Sequence, residues 1–365
     1  MRDLQVAYAE ATPLGAWVDT DDLNNKTRDD KPLNDVHYTK DGYRIFGQRL
    51  AQAAIEMLDP KSELTFPGEK RNFRGYVRYS GIETEHGHFS VVCPKKTAPG
   101  RPWLWRSLFW EAIQQFSNAD LKLVDEGYHV VLAHGDVAGH PKGNPNIDAA
   151  YEMVTSEYGF SKKCSMASMS RGTLSLFRWA NSNPEKVESI YVDNGVCNVL
   201  SWPAGKLVPG NNSIASGAPA SWEDFKKKYG YTSDAEALKT KENPIDLLEP
   251  LAKAGVPIIT VCGNKDGAVP YEENDAILEQ RYKALGGNIR VIVENKGHSH
   301  GMKDPTPVLE FIQKHTRATL EKSATKQPKN AWIIDNDADW ALAASDHTNL
   351  HIADGMATPT AKEAT

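Results

Sequence analysis

Short apolar runs alternate with longer amphipathic stretches along most of this 365-residue chain, from about Tyr76 onward. This alternation is typical of βα units, in which helices connect parallel strands. The predicted strands are His88–Cys93, His129–Ala133, Lys163–Ala167, Ser189–Val192, Ile258–Cys262 and Ile289–Val293. Apolar positions at three- and four-residue spacing predict helices at Trp105–Phe116, Asn146–Tyr158, Thr173–Asn181, Glu273–Leu285 and Pro307–His315. The pattern therefore predicts an α/β protein with a doubly wound, mostly parallel sheet of about eight strands.

Three parts of the chain depart from this rhythm and indicate a domain division. Residues 199–254 are rich in Pro, Gly, Trp and Lys before the helix-like Pro244–Ala254. We expect them to form a cap over a site, within a domain that spans residues 61–320. An amphipathic helix is predicted at Asp41–Met57, in an N-terminal extension of residues 1–60. Residues 321–365 have no clear period and are interpreted as a tail or a fragment of a further module.

Composition narrows the possible partners. A hydrophobic fraction of 40%, a charged fraction of 25% and a net charge of -6 are ordinary for a soluble protein, and no basic cluster suggests a nucleic-acid partner. No apolar run reaches the roughly 18 residues of a membrane span. The polar start Met1-Arg-Asp-Leu-Gln lacks the apolar core of a signal peptide, so we expect no export signal here and leave the compartment open.

The four cysteines show no CxxC spacing, and each lies in or beside an apolar, strand-like run. We therefore predict buried free thiols at these positions, with disulfides or metal ligation as the alternatives. The cysteines are Cys93, Cys164, Cys197 and Cys262.

A serine lies on a tight turn between a predicted strand and a predicted helix. The sequence Ser168-Met-Ser-Arg-Gly172 is a relaxed form of Gly-x-Ser-x-Gly. In that motif, small flanking residues let the serine hydroxyl stand above the sheet, and the following N–H can stabilise an oxyanion. The required strand and helix lie directly before and after it. We therefore predict that Ser170 is the nucleophile of an ester hydrolase, the alternative being an ordinary Ser-rich turn.

A serine hydroxyl is a poor nucleophile unless a base lies within hydrogen-bond reach and a third group, usually a carboxylate, orients that base. Asp266 follows the strand Ile258–Cys262 and is the predicted acid, although an Asp-Gly pair is also a common turn. After the last strand, His298 and His300 share a loop flanked by glycines. We choose His298 as the base because it directly follows Gly297, and His300 is the alternative. No further cluster has metal-ligand spacing, so neither a metal nor a cofactor is expected.

The second oxyanion donor is expected on the loop after the third strand of such a sheet. The loop after Cys93 contains a turn around Gly100. The backbone N–H groups of Trp103 and Arg171 are the predicted donors, with Arg101 as a further candidate.

Several side chains are predicted to contact the substrate. Trp103 and Trp105 are interpreted either as a stacking wall for sugar rings or as buried packing. Trp202 lies in the Asn194–Trp222 segment, which we expect to face the substrate, and His300 is a further predicted contact.

The motifs together resemble bacterial α/β-hydrolases of the prolyl-oligopeptidase-like esterase group, over roughly residues 70–316. The motifs that carry this resemblance are Pro99-Gly-Arg-Pro-Trp-Leu-Trp, Ser168-Met-Ser-Arg-Gly172, Asn243-Pro-Ile-Asp, Gly263-Asn-Lys-Asp-Gly-Ala-Val-Pro270, Tyr282-Lys-Ala-Leu-Gly-Gly287 and Gly297-His-Ser-His-Gly-Met-Lys-Asp-Pro305. The resemblance implies the α/β-hydrolase fold and a Ser-Asp-His triad. Members of that group often accompany polysaccharide-degrading genes, which implies a sugar-ester substrate.

The N-terminal extension carries a second resemblance. The segment from Asp35 to Ala51 is similar to the last conserved block of SGNH-type carbohydrate esterases, such as sialate or xylan O-acetylesterases. In that block an Asp usually lies three residues before the catalytic His, whereas Asn34 precedes His37 by three here. No Gly-Asp-Ser block precedes it, so the SGNH nucleophile is missing. We expect the extension to be the remnant of an esterase domain whose body lies outside this chain.

The predicted function is that of a serine carboxylic-ester hydrolase acting through an acyl-enzyme on a small-molecule or carbohydrate ester. One alternative is a serine peptidase of the prolyl-oligopeptidase type, because the same machinery cleaves amides. The other is a non-catalytic module that binds carbohydrate through its tryptophans.

Overall fold

The computed structural model describes residues 2–10, 15–23, 27–28, 31–32, 37–58, 62–108, 117–206, 213–325, 332–333, 350–353 and 356–359. The helices are α1 (Arg2–Glu10), α2 (Lys40–Leu58), α3 (Ser117–Asp125), α4 (Asn144–Ser156), α5 (Gly172–Ser182), α6 (Pro219–Tyr229), α7 (Asp234–Ala237), α8 (Glu249–Lys253), α9 (Asp275–Ala284) and α10 (Thr306–Thr325). The strands are β1 (Thr27–Arg28), β2 (Lys31–Pro32), β3 (Glu69–Phe73), β4 (Tyr76–Thr84), β5 (Gly87–Cys93), β6 (Trp103–Arg106), β7 (His129–Ala133), β8 (Cys164–Met169), β9 (Val187–Asp193), β10 (Ile258–Gly263), β11 (Ile289–Glu294), β12 (Trp332–Ile333), β13 (Leu350–Ala353) and β14 (Met356–Pro359).

One nine-stranded sheet organises the described part of the chain, in the order β11-β10-β9-β8-β6-β7-β5-β4-β3. The strands from β11 to β7 pair in parallel, whereas β5, β4 and β3 add an antiparallel edge. Parallel strands place their carboxyl ends at one edge of the sheet, which is where open α/β sheets hold their active groups. The predicted mostly parallel sheet is confirmed.

All six predicted strands are present, with bounds within two residues of the predicted ones. The predicted helix at Trp105–Phe116 is wrong at its start, because Trp105 is inside strand β6 and residues 109–116 lie outside the described part. All four residues of β6 are buried between β7 and β8, a setting that favours aromatic residues in a strand. The predicted helix at Pro244–Ala254 is interrupted, since a 3₁₀ turn at Pro244–Asp246 precedes the short helix α8.

Apolar side chains pack against both faces of the sheet, as a doubly wound architecture requires. On one face, Leu176 of α5 and Leu278 of α9 join the core side of the strands. On the other face, Leu123 of α3 and Val308 of α10 do the same. Helices therefore cover both faces, and the carboxyl edge stays available for a site.

The predicted cap interval contains α6 and α7 and packs as a third apolar cluster that includes Trp222 and Phe225. Helix α6 is tied to the loop after β7, because Lys228 forms an ion pair of 2.8 Å with Asp136. The cap also reaches the segment after β10, where the backbone N–H of Ser216 donates to the carbonyl of Gly267 at 2.9 Å. These contacts fix the cap beside the carboxyl edge of the sheet.

The N-terminal extension contains the predicted helix, observed as α2. His37 is exposed, whereas Asn34 and Asp35 lie outside the described residues, so the SGNH resemblance of this segment stays a prediction. Most of the predicted tail also lies outside the described part. No helix among the described residues has both the length and the apolar character that a bilayer span needs.

All four cysteines are buried and free, as predicted. Burial raises the pKa of the Cys93 thiol to about 12, so this thiol stays protonated at neutral pH.

Candidate active site

Ser170 occupies the turn between β8 and α5, with a backbone φ of 49°. A non-glycine residue in this left-handed region is strained and needs support from its surroundings. Two backbone hydrogen bonds give that support. The Ser170 N–H donates to the carbonyl of Asp193 at 3.1 Å, and the Ser170 carbonyl accepts from the N–H of Val196 at 3.0 Å. The turn thus presents the Ser170 side chain at the carboxyl edge of the sheet.

The flanking positions show how the relaxed motif folds. Ser168 is fully buried, and its hydroxyl lies 3.0 Å from that of Thr173, so the polar group is satisfied. Gly172 leaves little room, since a Cβ there would lie 3.1 Å from Ser107 Oγ. A serine is therefore accommodated at the first position of the motif, while glycine fits the tight approach at the last.

His298 and Asp266 extend a chain of hydrogen bonds from the serine. Ser170 Oγ lies 3.1 Å from His298 Nε2, and His298 Nδ1 lies 2.7 Å from Asp266 Oδ2. These distances are within the hydrogen-bond reach that a nucleophile, its base and the group orienting the base require. The structure brings these three predicted residues together in the predicted order.

Hydrogen bonds to Oδ1, the oxygen that does not face His298, fix the Asp266 carboxylate. Asp266 Oδ1 accepts the backbone N–H groups of Ala268 and Val269, both at 2.8 Å, and its side chain is fully buried. A buried carboxylate needs such donors to offset its lost hydration. The His298 side chain, by contrast, keeps 28% of its surface exposed, so its ring sits between the buried carboxylate and open space.

His300 is buried rather than available to a substrate, with 8% of its surface exposed. Its Nδ1 lies 3.3 Å from Asp193 Oδ1. The prediction that His300 contacts the substrate is therefore wrong, because the protein itself surrounds the ring. Among the described residues, no group of His, Cys, Asp and Glu side chains is arranged to hold a metal ion.

Trp103 and Arg101 lie at the wrong edge of the sheet to donate to an oxyanion at Ser170. Leu104 pairs with Ser165 in parallel register, so Trp103 is at the amino end of its strand. Trp103 is therefore level with Cys164 at the start of β8, six residues before Ser170. At 3.3 Å per residue of extended chain, the distance along the strand is roughly 20 Å. The Arg101 N–H is also engaged, because it donates to the carbonyl of Ala98 at 3.0 Å. The prediction for both residues is wrong.

The loop that leaves the carboxyl end of β6 does adjoin the serine turn. Ser107 donates its N–H to the carbonyl of Ala167 at 3.1 Å and its hydroxyl to the carbonyl of Gly172 at 3.0 Å. Leu108 follows directly and contacts the same turn, since a Cβ at Gly172 would lie 3.6 Å from its nitrogen. The sequence pattern did not point to Leu108, because β6 was not predicted as a strand. The aromatic run Trp103-Leu-Trp105 was the available signal for a strand.

Trp105 is a core residue, with 2% of its surface exposed and its ring stacked 6.5 Å from that of Trp179. The prediction that Trp105 contacts substrate is therefore wrong. Trp202 instead lines a depression between the cap and the loop after β7. Arg171, which follows Ser170, lines it too, and other side chains around it include Val137, Leu174, Pro203 and Phe225.

Comparison with known proteins identifies the fold. No protein-family model matches the chain, and no curated protein sequence matches it. Three similar solved structures have low identity. The dipeptidyl peptidase 4 of Porphyromonas gingivalis is 13% identical (TM-score 0.49), the superposition covering 66% of this chain and 36% of that one. Oligopeptidase B of Leishmania major is 16% identical (TM-score 0.49), with 68% and 37% covered. This chain thus spans little more than a third of either peptidase.

The third structure is a truncated form of a carbohydrate esterase from gut microbiota, 14% identical with a TM-score of 0.50. The superposition covers 66% of this chain and 96% of the esterase. At this identity the likeness bears on architecture alone. With the nine-stranded sheet, it shows that the chain has the α/β-hydrolase fold.

Proposed function

We propose that this protein is a serine carboxylic-ester hydrolase that works through an acyl-enzyme. The observation that carries the proposal is the continuous hydrogen-bond chain from Ser170 Oγ through the His298 ring to Asp266. Ser170 stands on a strained turn at the carboxyl edge of the sheet, where the chemistry of this architecture takes place.

The reaction proceeds in two halves. His298 Nε2 accepts the proton of Ser170 Oγ as that oxygen attacks the ester carbonyl, while Asp266 stabilises the imidazolium through Nδ1. The tetrahedral intermediate collapses, the proton passes from Nε2 to the departing alkoxide, and an alcohol leaves behind an acyl-Ser170. Water then attacks the acyl carbon with His298 again accepting its proton, and the carboxylic acid is released as Ser170 recovers its proton.

The oxyanion of each tetrahedral intermediate needs N–H donors near Ser170. Arg171 is the residue after the nucleophile, and its N–H is the first proposed donor. The second proposed donor is the N–H of Leu108, because Ser107 and Leu108 adjoin the start of α5. Donors on a strand-end loop and on a helix start are fixed before the substrate binds, so little reorganisation is needed during the reaction.

The depression beside Arg171 is proposed to receive one side of the ester. Its lining is mostly apolar, with the indole of Trp202 available to stack on a ring, which suits an acyl ester of a carbohydrate. Replacing Trp202 by Ala should raise KM for a sugar ester more than for a simple acetyl ester, because only the sugar loses a stacking surface.

The test is hydrolysis of short-chain p-nitrophenyl esters, acetylated xylan, acetylated sialic acid and feruloyl sugars, with a proline-based amide in the same panel. Ester cleavage by the wild type and its loss in Ser170→Ala are expected. Ser156→Ala, an exposed serine on α4, is the matched control and should keep the wild-type rate. An unchanged rate in Ser170→Ala would contradict the proposal, and cleavage of the amide in preference to every ester would indicate a peptidase.

A further inference from the structure

A second histidine–carboxylate pair, Asp193 and His300, lies beside the proposed triad and takes no part in the steps above. Asp193 ends strand β9, next to the strand that leads to Ser170, and it is fully buried. A buried carboxylate is destabilising unless donors and a counter-charge surround it. Asp193 therefore requires hydrogen-bond donors and a positive charge close to its carboxylate.

Four donors converge on the Asp193 carboxylate. Oδ2 accepts the Tyr191 hydroxyl at 2.9 Å and the Gly301 N–H at 2.8 Å. Oδ1 accepts the Asn194 amide at 3.0 Å and lies 3.3 Å from His300 Nδ1. The Lys296 ammonium is 3.9 Å away and supplies a positive charge. Two of these donors belong to the loop that carries His298, so Asp193 binds that loop directly.

The same residue also holds the nucleophile. The backbone carbonyl of Asp193 accepts the N–H of Ser170 at 3.1 Å. Its neighbour Asn194 donates its amide to the carbonyl of Ser299, one residue past His298, at 2.6 Å. The end of β9 is thus bonded on one side to the serine turn and on the other to the histidine loop.

His300 completes the link because its ring packs against that of His298. The two ring centroids are 4.8 Å apart, and the planes meet at 79°, an edge-to-face arrangement. Asp266 restrains the His298 ring at one atom, Nδ1, so a tilt of the ring that displaces Nε2 can keep this bond. A second ring against the first opposes that tilt, and so keeps Nε2 directed at Ser170 Oγ.

We propose that Asp193 and His300 form a positioning pair that sets the distance and angle between Ser170 Oγ and His298 Nε2. The inference rests on the proposed triad, but it assigns a role to residues outside it. Misplacing a reacting group by about 1 Å lowers the rate by up to a hundredfold. Loss of the pair should therefore lower kcat and leave KM nearly unchanged, because neither residue faces the substrate.

The experiment compares three replacements of His300 in the full-length chain. His300→Phe keeps a ring but loses the hydrogen bond to Asp193, His300→Asn keeps a donor but loses the ring, and His300→Ala loses both. We expect kcat to fall on the order of tenfold in the first two and on the order of a hundredfold in His300→Ala, with KM within about twofold of wild type. His86→Phe, at an exposed hairpin position, is the matched control.

Thermal unfolding of each variant separates positioning from folding, and rates are measured well below every unfolding midpoint. The proposal is overturned if folded His300→Ala keeps wild-type kcat, or if KM alone rises. If His300 only stabilised the fold, each variant would have wild-type kcat at temperatures where it is fully folded. In that case His300→Asn and His300→Phe would not have a kcat between those of His300→Ala and the wild type.

Labelling of Ser170 by a fluorophosphonate makes the result independent of the substrate. Its rate depends on activation of Ser170 by His298 and not on recognition of an ester, and it should fall in the same order across the variants. If the wild type cleaves no ester but is labelled, the ester-hydrolase proposal fails and the positioning pair is still tested. If the folded wild type shows neither reaction, both proposals fail.

Discussion

Asp275 is the first residue of helix α9 and is fully buried. No counter-charge is paired with its carboxylate among the described residues, and the neutral Thr260 hydroxyl is the side chain that favours ionisation there. Burial raises the pKa of Asp275 from its ordinary value of 3.8 to about 7, because desolvation disfavours the charged carboxylate by more than the Thr260 hydroxyl and the backbone N–H stabilise it. The replacement Asp275→Asn keeps the shape of the side chain and removes its ionisation.

The expected effect on stability follows from the two pKa values. In the unfolded chain the carboxyl ionises near pH 4, whereas in the folded protein it keeps its proton to about pH 7. Between these values the folded state holds more protons, so this group lowers the free energy of unfolding as pH rises. A pKa difference of about three corresponds to about 4 kcal/mol, fully developed by roughly pH 8.

Urea unfolding at pH 5 and at pH 8 measures the effect. From pH 5 to pH 8, the free energy of unfolding of Asp275→Asn minus that of the wild type should increase by about 3 kcal/mol. The increase is smaller than about 4 kcal/mol because the wild-type carboxyl already destabilises the fold in part at pH 5. Asp41→Asn, at an exposed position of α2, serves as the control and should show no such increase. If the wild type and Asp275→Asn instead lose or gain stability in parallel between pH 5 and pH 8, the Asp275 carboxyl does not have a raised pKa.

Three further replacements test other parts of the structure. Asp266→Asn should lower kcat/KM by about 10⁴-fold in ester hydrolysis, because an amide cannot hold the His298 tautomer that accepts the serine proton; a loss of less than tenfold would contradict that role. Arg106→Met should lower the free energy of unfolding by about 3–5 kcal/mol in urea, because it strands the buried carboxylate of Asp120, which Arg106 binds through Nε at 2.8 Å and a second nitrogen at 2.6 Å. Adding Asp120→Leu to Arg106→Met should recover most of that loss. Equal stability of the single variant and this double variant would argue against a stranded charge. Ser168→Gly should cost about 1–2 kcal/mol in the same assay, because Thr173 loses its buried partner.

The sequence predicted strands and helices best where the same spacing of apolar residues was repeated along a segment. Strands such as His129–Ala133 are buried on both faces, so their apolar runs are continuous and bounded by polar residues. Helices such as α5 show the three- and four-residue spacing of one buried face. The positions of Ser170, Asp266 and His298 followed from these elements, because each residue lies within four residues of the end of a strand.

Strand β6 was missed because it has four residues and the aromatic pattern of Trp103–Arg106 continues into a helix-like stretch. Such a short run fits either periodicity, and only its place between β7 and β8 makes it a strand. That one error moved the expected oxyanion loop to the opposite edge of the sheet. Local pattern alone does not tell which end of an element faces the site.

Asp193 could not be recognised for a different reason. In sequence it is a polar residue after an apolar strand, a position shared by Asp266. Its partners Tyr191, Asn194, His300 and Gly301 are spread over 111 residues of the chain and meet because the segment after β11 reaches past the end of β10 to the end of β9. The choice of His298 over His300 as the base likewise depends on which carboxylate each ring meets.

The most direct test of the central claim is the site of covalent labelling by a fluorophosphonate, read by peptide mass spectrometry. The hydrogen-bond chain from Ser170 through His298 to Asp266 predicts a single adduct on Ser170, absent in Ser170→Ala and formed far more slowly in Asp266→Asn. An adduct on another serine, or labelling that persists unchanged in Ser170→Ala, would contradict the account.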